Sequence, residues 1–251
     1  MANEKITFFK AFQEMGVELA EMHARAFAVK QGYVWSNGSS VVFKAGGVEQ
    51  FSPTFRGNIL TNEAAIEKWV SAHFQDYNNR PSCRTSNPPG TKHDDALDMV
   101  INAKLSNLNN TDLQDIKWAH RLGMSAENIF GTILEEYLAE KLAPHGWFCA
   151  WGSVLKAVDF VSNNGDFLQI KSRNNTENSS SNKIRNGTNI KKWWRFHATN
   201  GTTNWEELNT KLGINTLSED DFRRFVAELV ANNPSAMAVE SDNSWRSKNP
   251  N

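Results

Sequence analysis

The run VDFVSNNGDFLQIK at residues 158–171 constrains this chain more than any other stretch, because two short apolar segments flank Asn163-Asn164-Gly165. Asn and Gly between β-prone runs mark a hairpin, and the length of the turn decides which side chains share a face. A turn made of Asn164-Gly165 alone would set Asp159 opposite Ile170. A longer loop, Asn163-Asn164-Gly165 with Gly165 left-handed, sets Asp159 opposite Gln169 and on one sheet face with Lys171. It also gathers Val158, Phe160, Leu168 and Ile170 on the other face. A uniformly apolar face is what fixes strand register, so the pattern favours the longer loop.

An acid, an amide and an ammonium then stand together. Phosphodiester hydrolysis calls for a divalent cation that neutralises developing charge and activates water. Mg²⁺ prefers carboxylate, carbonyl and phosphate oxygens, and a lysine beside it can orient the water and stabilise the transition state. The plainer alternative is a surface Asp–Lys pair worth at most about 1 kcal/mol.

Charge distribution bears on the choice. Residues 171–195 hold Lys171, Arg173, Lys183, Arg185, Lys191, Lys192 and Arg195 against the single acid Glu177, although the net charge of the chain is −1. A block of one sign points to a polyanionic partner, with a solvated basic face as the bland reading. Within the tract, Arg suits guanine, Asn suits adenine, and Ser suits phosphate or base. Arg173, Lys183 and Arg185 are the first candidates for DNA contact, followed by Asn178 and Ser179. Lys191, Lys192 and Arg195 suit phosphate. Trp193 and Trp194 could stack on bases, but beside Ile190 they fit a core better.

The rest of the chain reads as α/β of the α+β flavour. Residues 4–30 carry an apolar stripe at helical spacing, 31–47 suggest a hairpin turning at Asn37-Gly38, and 62–76 a second helix. A Pro-, Ser- and Asn-rich loop covers 79–95. Two consecutive helices are expected at 111–123 and 125–143, the second capped by Ser125 and stopped by the Pro144-His145-Gly146 segment. Strands follow at 147–152, 154–161 and 166–171. Residues 189–198 form a further element for which a helix is one option, and a capping box at Ser218 opens a late helix. This divides the chain into a mostly helical region 1–110, for capping, dimerisation or DNA contact, and a core 111–251. Cys83 and Cys149 form no metal pattern and no disulfide framework, and no run suits a signal peptide or a membrane span. A cytoplasmic protein is therefore expected. His93, Asp94, Asp95 and His120 lack zinc spacing and read as loop residues.

Asp159 with Gln169-Ile170-Lys171, preceded by an acid-bearing helix, resembles the PD-(D/E)XK nuclease core. The segments NIFGTILEEYLAEKL, AWG, VDF and FLQIK, with the polar tract 172–195, resemble type II restriction endonucleases of the SinI type over about residues 125–210. That resemblance implies a mixed sheet flanked by helices, Mg²⁺ as cofactor, and double-stranded DNA cleaved at GGWCC or a related site. It further implies a homodimer and a protecting DNA methyltransferase. Asp159 and Gln169 would bind the metal and Lys171 would orient water. Gln169 stands where the family pattern has an acid, which leaves the site one carboxylate short. Helix acids can supply the missing charge: Glu135 borders the apolar stripe and comes first, Glu136 lies nearer solvent and is the reserve, and Glu177 is a third choice. The rival readings are a non-catalytic DNA- or RNA-binding protein and a repair nuclease without sequence preference.

Overall fold

The computed structural model describes residues 5–88, 90, 92–174 and 187–248. Among these, eight α-helices and four strands follow in chain order: α1 (Phe8–Met15), α2 (Val17–Lys30), α3 (Asn37–Gly46), α4 (Asn62–Asn78), α5 (Asp95–Lys104), α6 (Asn110–Leu142), β1 (Trp147–Cys149), β2 (Phe160–Ser162), β3 (Phe167–Arg173), β4 (Lys191–Phe196), α7 (Trp205–Leu212) and α8 (Glu219–Asn232). The strands form one mixed sheet in the order β1-β2-β3-β4, antiparallel through β3 and parallel from β3 to β4. The expected α/β class holds.

The chain forms two compact units, Met1–Arg80 with Leu134–Phe225 and Pro81–Ile133 with Val226–Asn251. Helices α1–α4 belong to the same unit as the sheet. Their apolar faces explain why. Phe8, Phe12, Val42, Phe43, Ile66, Trp69 and Val70 join Val154, Leu155, Val158, Val161 and Phe167 in one buried cluster. An amphipathic helix buries its apolar stripe wherever a matching face is available, and the sheet offers one.

Several elements differ from their sequence expectation for identifiable reasons. The helix expected over 4–30 breaks at Gly16, whose φ of 77° no helix accommodates. The hairpin expected at Asn37-Gly38 is instead the start of α3. Ser36 and Ser39 make a reciprocal capping box there. Gly38 serves a close approach rather than a turn, since a Cβ would lie 2.5 Å from a Phe148 ring carbon. The two helices around Ser125 are one continuous helix, α6. Residues 191–196 are a strand, with Trp193 and Arg195 turned inward. Strand β2 is shorter than expected, and residues 154–159 approach it irregularly.

The turn Trp151–Ser153 presses against α4. Gly152 has φ 81°, and a Cβ there would stand 2.1 Å from the Ala72 carbonyl oxygen. The Gly152 N–H donates to Asp76 Oδ2 at 2.9 Å. Only glycine satisfies both the backbone angle and the contact. No helix among the described residues is long and apolar enough to cross a membrane.

Gly152→Ala should therefore lower stability by more than the ~1–2 kcal/mol of a left-handed alanine, because the clash with Ala72 is added to the conformational cost. Gly165→Ala, at φ 81° with nothing within 4 Å of the added carbon, should show the conformational cost alone. Urea unfolding midpoints of the two variants compare these directly; equal losses would rule out the steric account of Gly152.

Candidate active site

The hairpin adopts the longer loop. Ser162 N–H donates to Asp166 O at 2.9 Å, Gly165 has φ 81°, and the register pairs Phe160 with Leu168 and Val161 with Phe167. Asp159 lies just before β2. Its N–H donates to Leu168 O at 3.0 Å, its carbonyl accepts from Ala150 N–H at 2.8 Å, and its Oδ2 accepts from Ile170 N–H at 2.7 Å. A carboxylate that bonds the neighbouring strand's backbone has its orientation fixed by the sheet.

Burial pushes the Asp159 carboxyl up to about 6, against the opposing pull of the Ile170 N–H and the nearby Lys171 ammonium. Glu135, near the C-terminal end of α6, is pushed further, to about 8. Burial is the main cause, the charges of Asp159 and Asp76 add to it, and Lys171 opposes it. Cys149 on β1 completes the surroundings. Its thiol is held well above the ordinary thiol range by burial first and then by Glu135, Asp159 and Asp76. These mutual influences define one cluster made of Asp76, Glu135, Asp159 and Lys171.

Asp76 was not anticipated. It sits in the last turn of α4, far from the hairpin in sequence, and is anchored by the Gly152 N–H. Two backbone bonds tie the acids together, since Ala150 holds Asp159 and Gly152, two residues on, holds Asp76. The AWG segment at 150–152 was the available signal, but nothing local in it points to α4.

Glu136 corrects the helical-wheel reading that turned it toward solvent. It is only 7% exposed and pairs with Arg80 Nε at 3.1 Å. Gln169 is buried on β3, 2% exposed, two residues before Lys171 and level with Lys192 of β4.

Arg173 is exposed at the end of β3. Lys191 lies 3.6 Å from Asp166 and over the Trp147 ring, and Lys192 lies over Trp194. Arg195 departs from the expectation of a phosphate clamp. It is 8% exposed and its Nη1 donates to both oxygens of Glu219, at 2.7 and 2.8 Å, which is the geometry of a packed ion pair. Trp193 is fully buried and donates to Asn204 O at 2.7 Å, while Trp194 is half-buried. Glu177, Asn178, Ser179, Lys183 and Arg185 lie outside the described residues.

His93, Asp95 and Asp98 come together at the start of α5, their ligating atoms all within 4.8 Å of one another. Sequence spacing missed this group because Asp98 is supplied by the first helical turn. His93 Nε2 already meets Asp98 Oδ1 at 2.8 Å, and Asp94 caps the helix through Ala96 N–H.

Comparison with known proteins matches residues 56–232 to the SinI restriction endonuclease family. The type II restriction enzyme Eco47I of Escherichia coli is 40% identical over 176 residues, covering 68% of this chain and 76% of that protein. The type II restriction enzyme SinI of Salmonella infantis is 43% identical over 157 residues, covering 61% of this chain and 68% of that protein. Asp76, Glu135, Asp159 and Lys171 all fall inside the matched span, which takes in α4, the C-terminal part of α6 and the whole sheet. The chain belongs to the SinI restriction endonuclease family.

Proposed function

We propose that the protein is a Mg²⁺-dependent type II restriction endonuclease that hydrolyses double-stranded DNA at GGWCC or a closely related short site. The observation that carries this reading is the convergence of three carboxylates, Asp76, Glu135 and Asp159, beside Lys171. The family membership supports restriction activity, and the resemblance to SinI-type enzymes supports the site.

Carboxylate oxygens are the donors a hard divalent cation prefers, and the charges of Asp159 and Asp76 disfavour ionisation of Glu135 until positive charge is present. Asp159, Glu135 and Asp76 would hold the ion, and Gln169 would add a neutral carbonyl oxygen. When bound, the ion supplies Lewis acidity and neutralises charge on the scissile phosphate. Lys171 orients the attacking water and balances charge developing on the phosphoryl oxygens. Glu135, whose carboxyl holds its proton near neutrality, would have to give it up to serve as a ligand. Glu135 would thereby supply the charge that Gln169 leaves missing, with Asp76 beside it as a further carboxylate.

Arg173 ends β3, whereas Lys191 and Lys192 begin the parallel β4 at the opposite end of the pair; all three would contact DNA, together with Asn178, Ser179, Lys183 and Arg185 of the connecting tract. Arg195 would act indirectly, by fixing β4 against Glu219. A two-fold target is read by two copies of one surface, so the active species would be a homodimer. A cognate methyltransferase would protect the host's own sites, and the protein would work in the cytoplasm.

Incubation with plasmid and Mg²⁺ should give discrete fragments; a smear or intact plasmid would sink the reading. Asp159→Ala and Lys171→Ala should each abolish cleavage while a fluorescent duplex still binds. Glu135→Gln should lose most activity. Glu136→Gln should act through stability, lowering the melting temperature by breaking the Arg80 pair, with no change in the Mg²⁺ requirement.

Asp76→Asn retains an oxygen for the Gly152 N–H and removes the charge, so it isolates the electrostatic role. Calorimetric titration with Mn²⁺, in the absence of DNA, should show at least about tenfold weaker binding for this variant, a loss equivalent to about 1.4 kcal/mol. Unchanged Mn²⁺ affinity would remove Asp76 from the site.

The crowded acids also set a pH dependence. Glu135 and Asp159 titrate higher folded than unfolded, so the folded state keeps protons that the unfolded state has lost. Their contribution is fully present below about pH 4 and is lost as pH rises through about 6 for Asp159 and 8 for Glu135. In EDTA, the melting temperature of Glu135→Gln should therefore fall less than that of wild type between about pH 5 and 8. Mg²⁺ should stabilise wild type more at the upper end of that range. Parallel melting curves for the two proteins would contradict the charge crowding.

A further inference from the structure

The second compact unit contains none of Asp76, Glu135, Asp159 or Lys171, yet it has a feature of its own. A cleft of about 230 Å³ is lined by Arg84, Ser86, Asn87, Ser125 and Asn128, with no carboxylate among the described residues of its wall. Two buried hydrogen-bonding atoms at this cleft have no partner, Arg84 Nε and Ser125 Oγ. Ser125 is 4% exposed and lies within α6. A serine hydroxyl inside a helix commonly bonds back to a carbonyl one turn earlier, and this one does not. Among the described residues no carboxylate pairs with Arg84.

The cleft is held in shape by bonds that leave those two atoms out. Asn233 Nδ2 donates to Pro81 O at 2.9 Å and to Arg84 O at 2.8 Å. Ser86 N–H donates to Ser235 O at 2.9 Å, and Ser86 Oγ donates to Ala236 O at 2.6 Å. The backbone around Arg84 is thus fixed from the far end of the chain. Its side-chain Nε stays buried and without a partner, in a residue that lines the cleft. Fixed donors without acceptors are costly unless a ligand completes them. A guanidinium with no acid in the wall selects an anion, and several donors around one small space suit the clustered oxygens of a phosphate.

We propose that this cleft is a phosphate-binding site, in which Arg84 Nε and Ser125 Oγ donate to the oxygens of one phosphate group and the amides of Asn87 and Asn128 complete the shell. The phosphate belongs either to the backbone of the DNA substrate, which rests on the nuclease reading, or to free inorganic phosphate, which does not. The chemistry at Arg84 and Ser125 is the same in both cases.

The test uses the full-length protein without divalent metal, in two arms. Titration of inorganic phosphate followed by ³¹P NMR reads the free anion. Fluorescence anisotropy of a duplex across a range of salt reads the backbone, where each neutralised phosphate contributes about 0.9 to the slope of log K against log salt. Arg84→Met should lose phosphate binding, and if DNA fills the cleft its salt slope should shrink by about 0.9. Ser125→Ala should weaken binding at unchanged slope. Arg84→Lys keeps the charge and loses Nε, so it should keep the slope and bind more weakly; it carries the test if the methionine variant melts early. A fall in the duplex slope assigns the cleft to DNA, and loss of ³¹P binding with an unaltered slope assigns it to the free anion. Wild-type behaviour of well-folded Arg84→Met and Ser125→Ala in both arms overturns the proposal. Plasmid cleavage by the wild-type protein is scored separately, so a failed nuclease reading leaves the phosphate arm interpretable.

Discussion

The contact between the 151–153 turn and α4 is what the acid cluster depends on. Without it the sheet would carry Asp159 and Lys171 but no helical acid from the N-terminal region. Gly152 makes the approach possible by having no side chain, and its N–H then fixes the carboxylate that the approach brings in. Packing and chemistry meet in one residue. The buried aromatic cluster of Phe8, Phe43 and Trp69 holds α4 in place behind it, with ring centroids 5.1 to 6.0 Å apart.

Burying acids together costs free energy, and the fold spreads that cost across several elements. Asp159 is relieved by a backbone N–H and by Lys171, while Glu135 is relieved less and therefore holds its proton. Structural acids elsewhere in the same unit behave in the opposite way. Asp221 is drawn down to about 2 by Lys141 and Arg224, and Glu219 is lowered although burial opposes it, because Trp205, Arg195 and Arg223 all donate to it. The contrast separates acids that hold the fold together from acids kept short of partners.

Local patterns were legible where they were dictated locally. The register around Gly165 follows from alternation and turn chemistry alone. Asp76 and Arg195 were not legible. The first depends on a helix arriving from elsewhere in the chain, and the second on Glu219 in α8. Asn37-Gly38 was read as a hairpin turn because that pair usually makes one. Here Ser36 caps a helix and Phe148 demands the glycine. The tract 175–186 lies outside the described residues, but both of its flanks are fixed. Asn174 bonds Phe196 O and Ala198 N–H, and Thr188 Oγ1 accepts from Ile190 N–H.

Cys149 makes the site's enclosure observable. Its thiol is buried against three carboxylates that disfavour the thiolate, whereas Cys83 is exposed. Thiolate is the reactive form, so a thiol reagent meets Cys83 freely and reaches Cys149 only when β1 separates from its neighbours. The slower of the two labelling rates is thus a clock for transient opening of the acid cluster, with the faster serving as an internal reference in the same molecule.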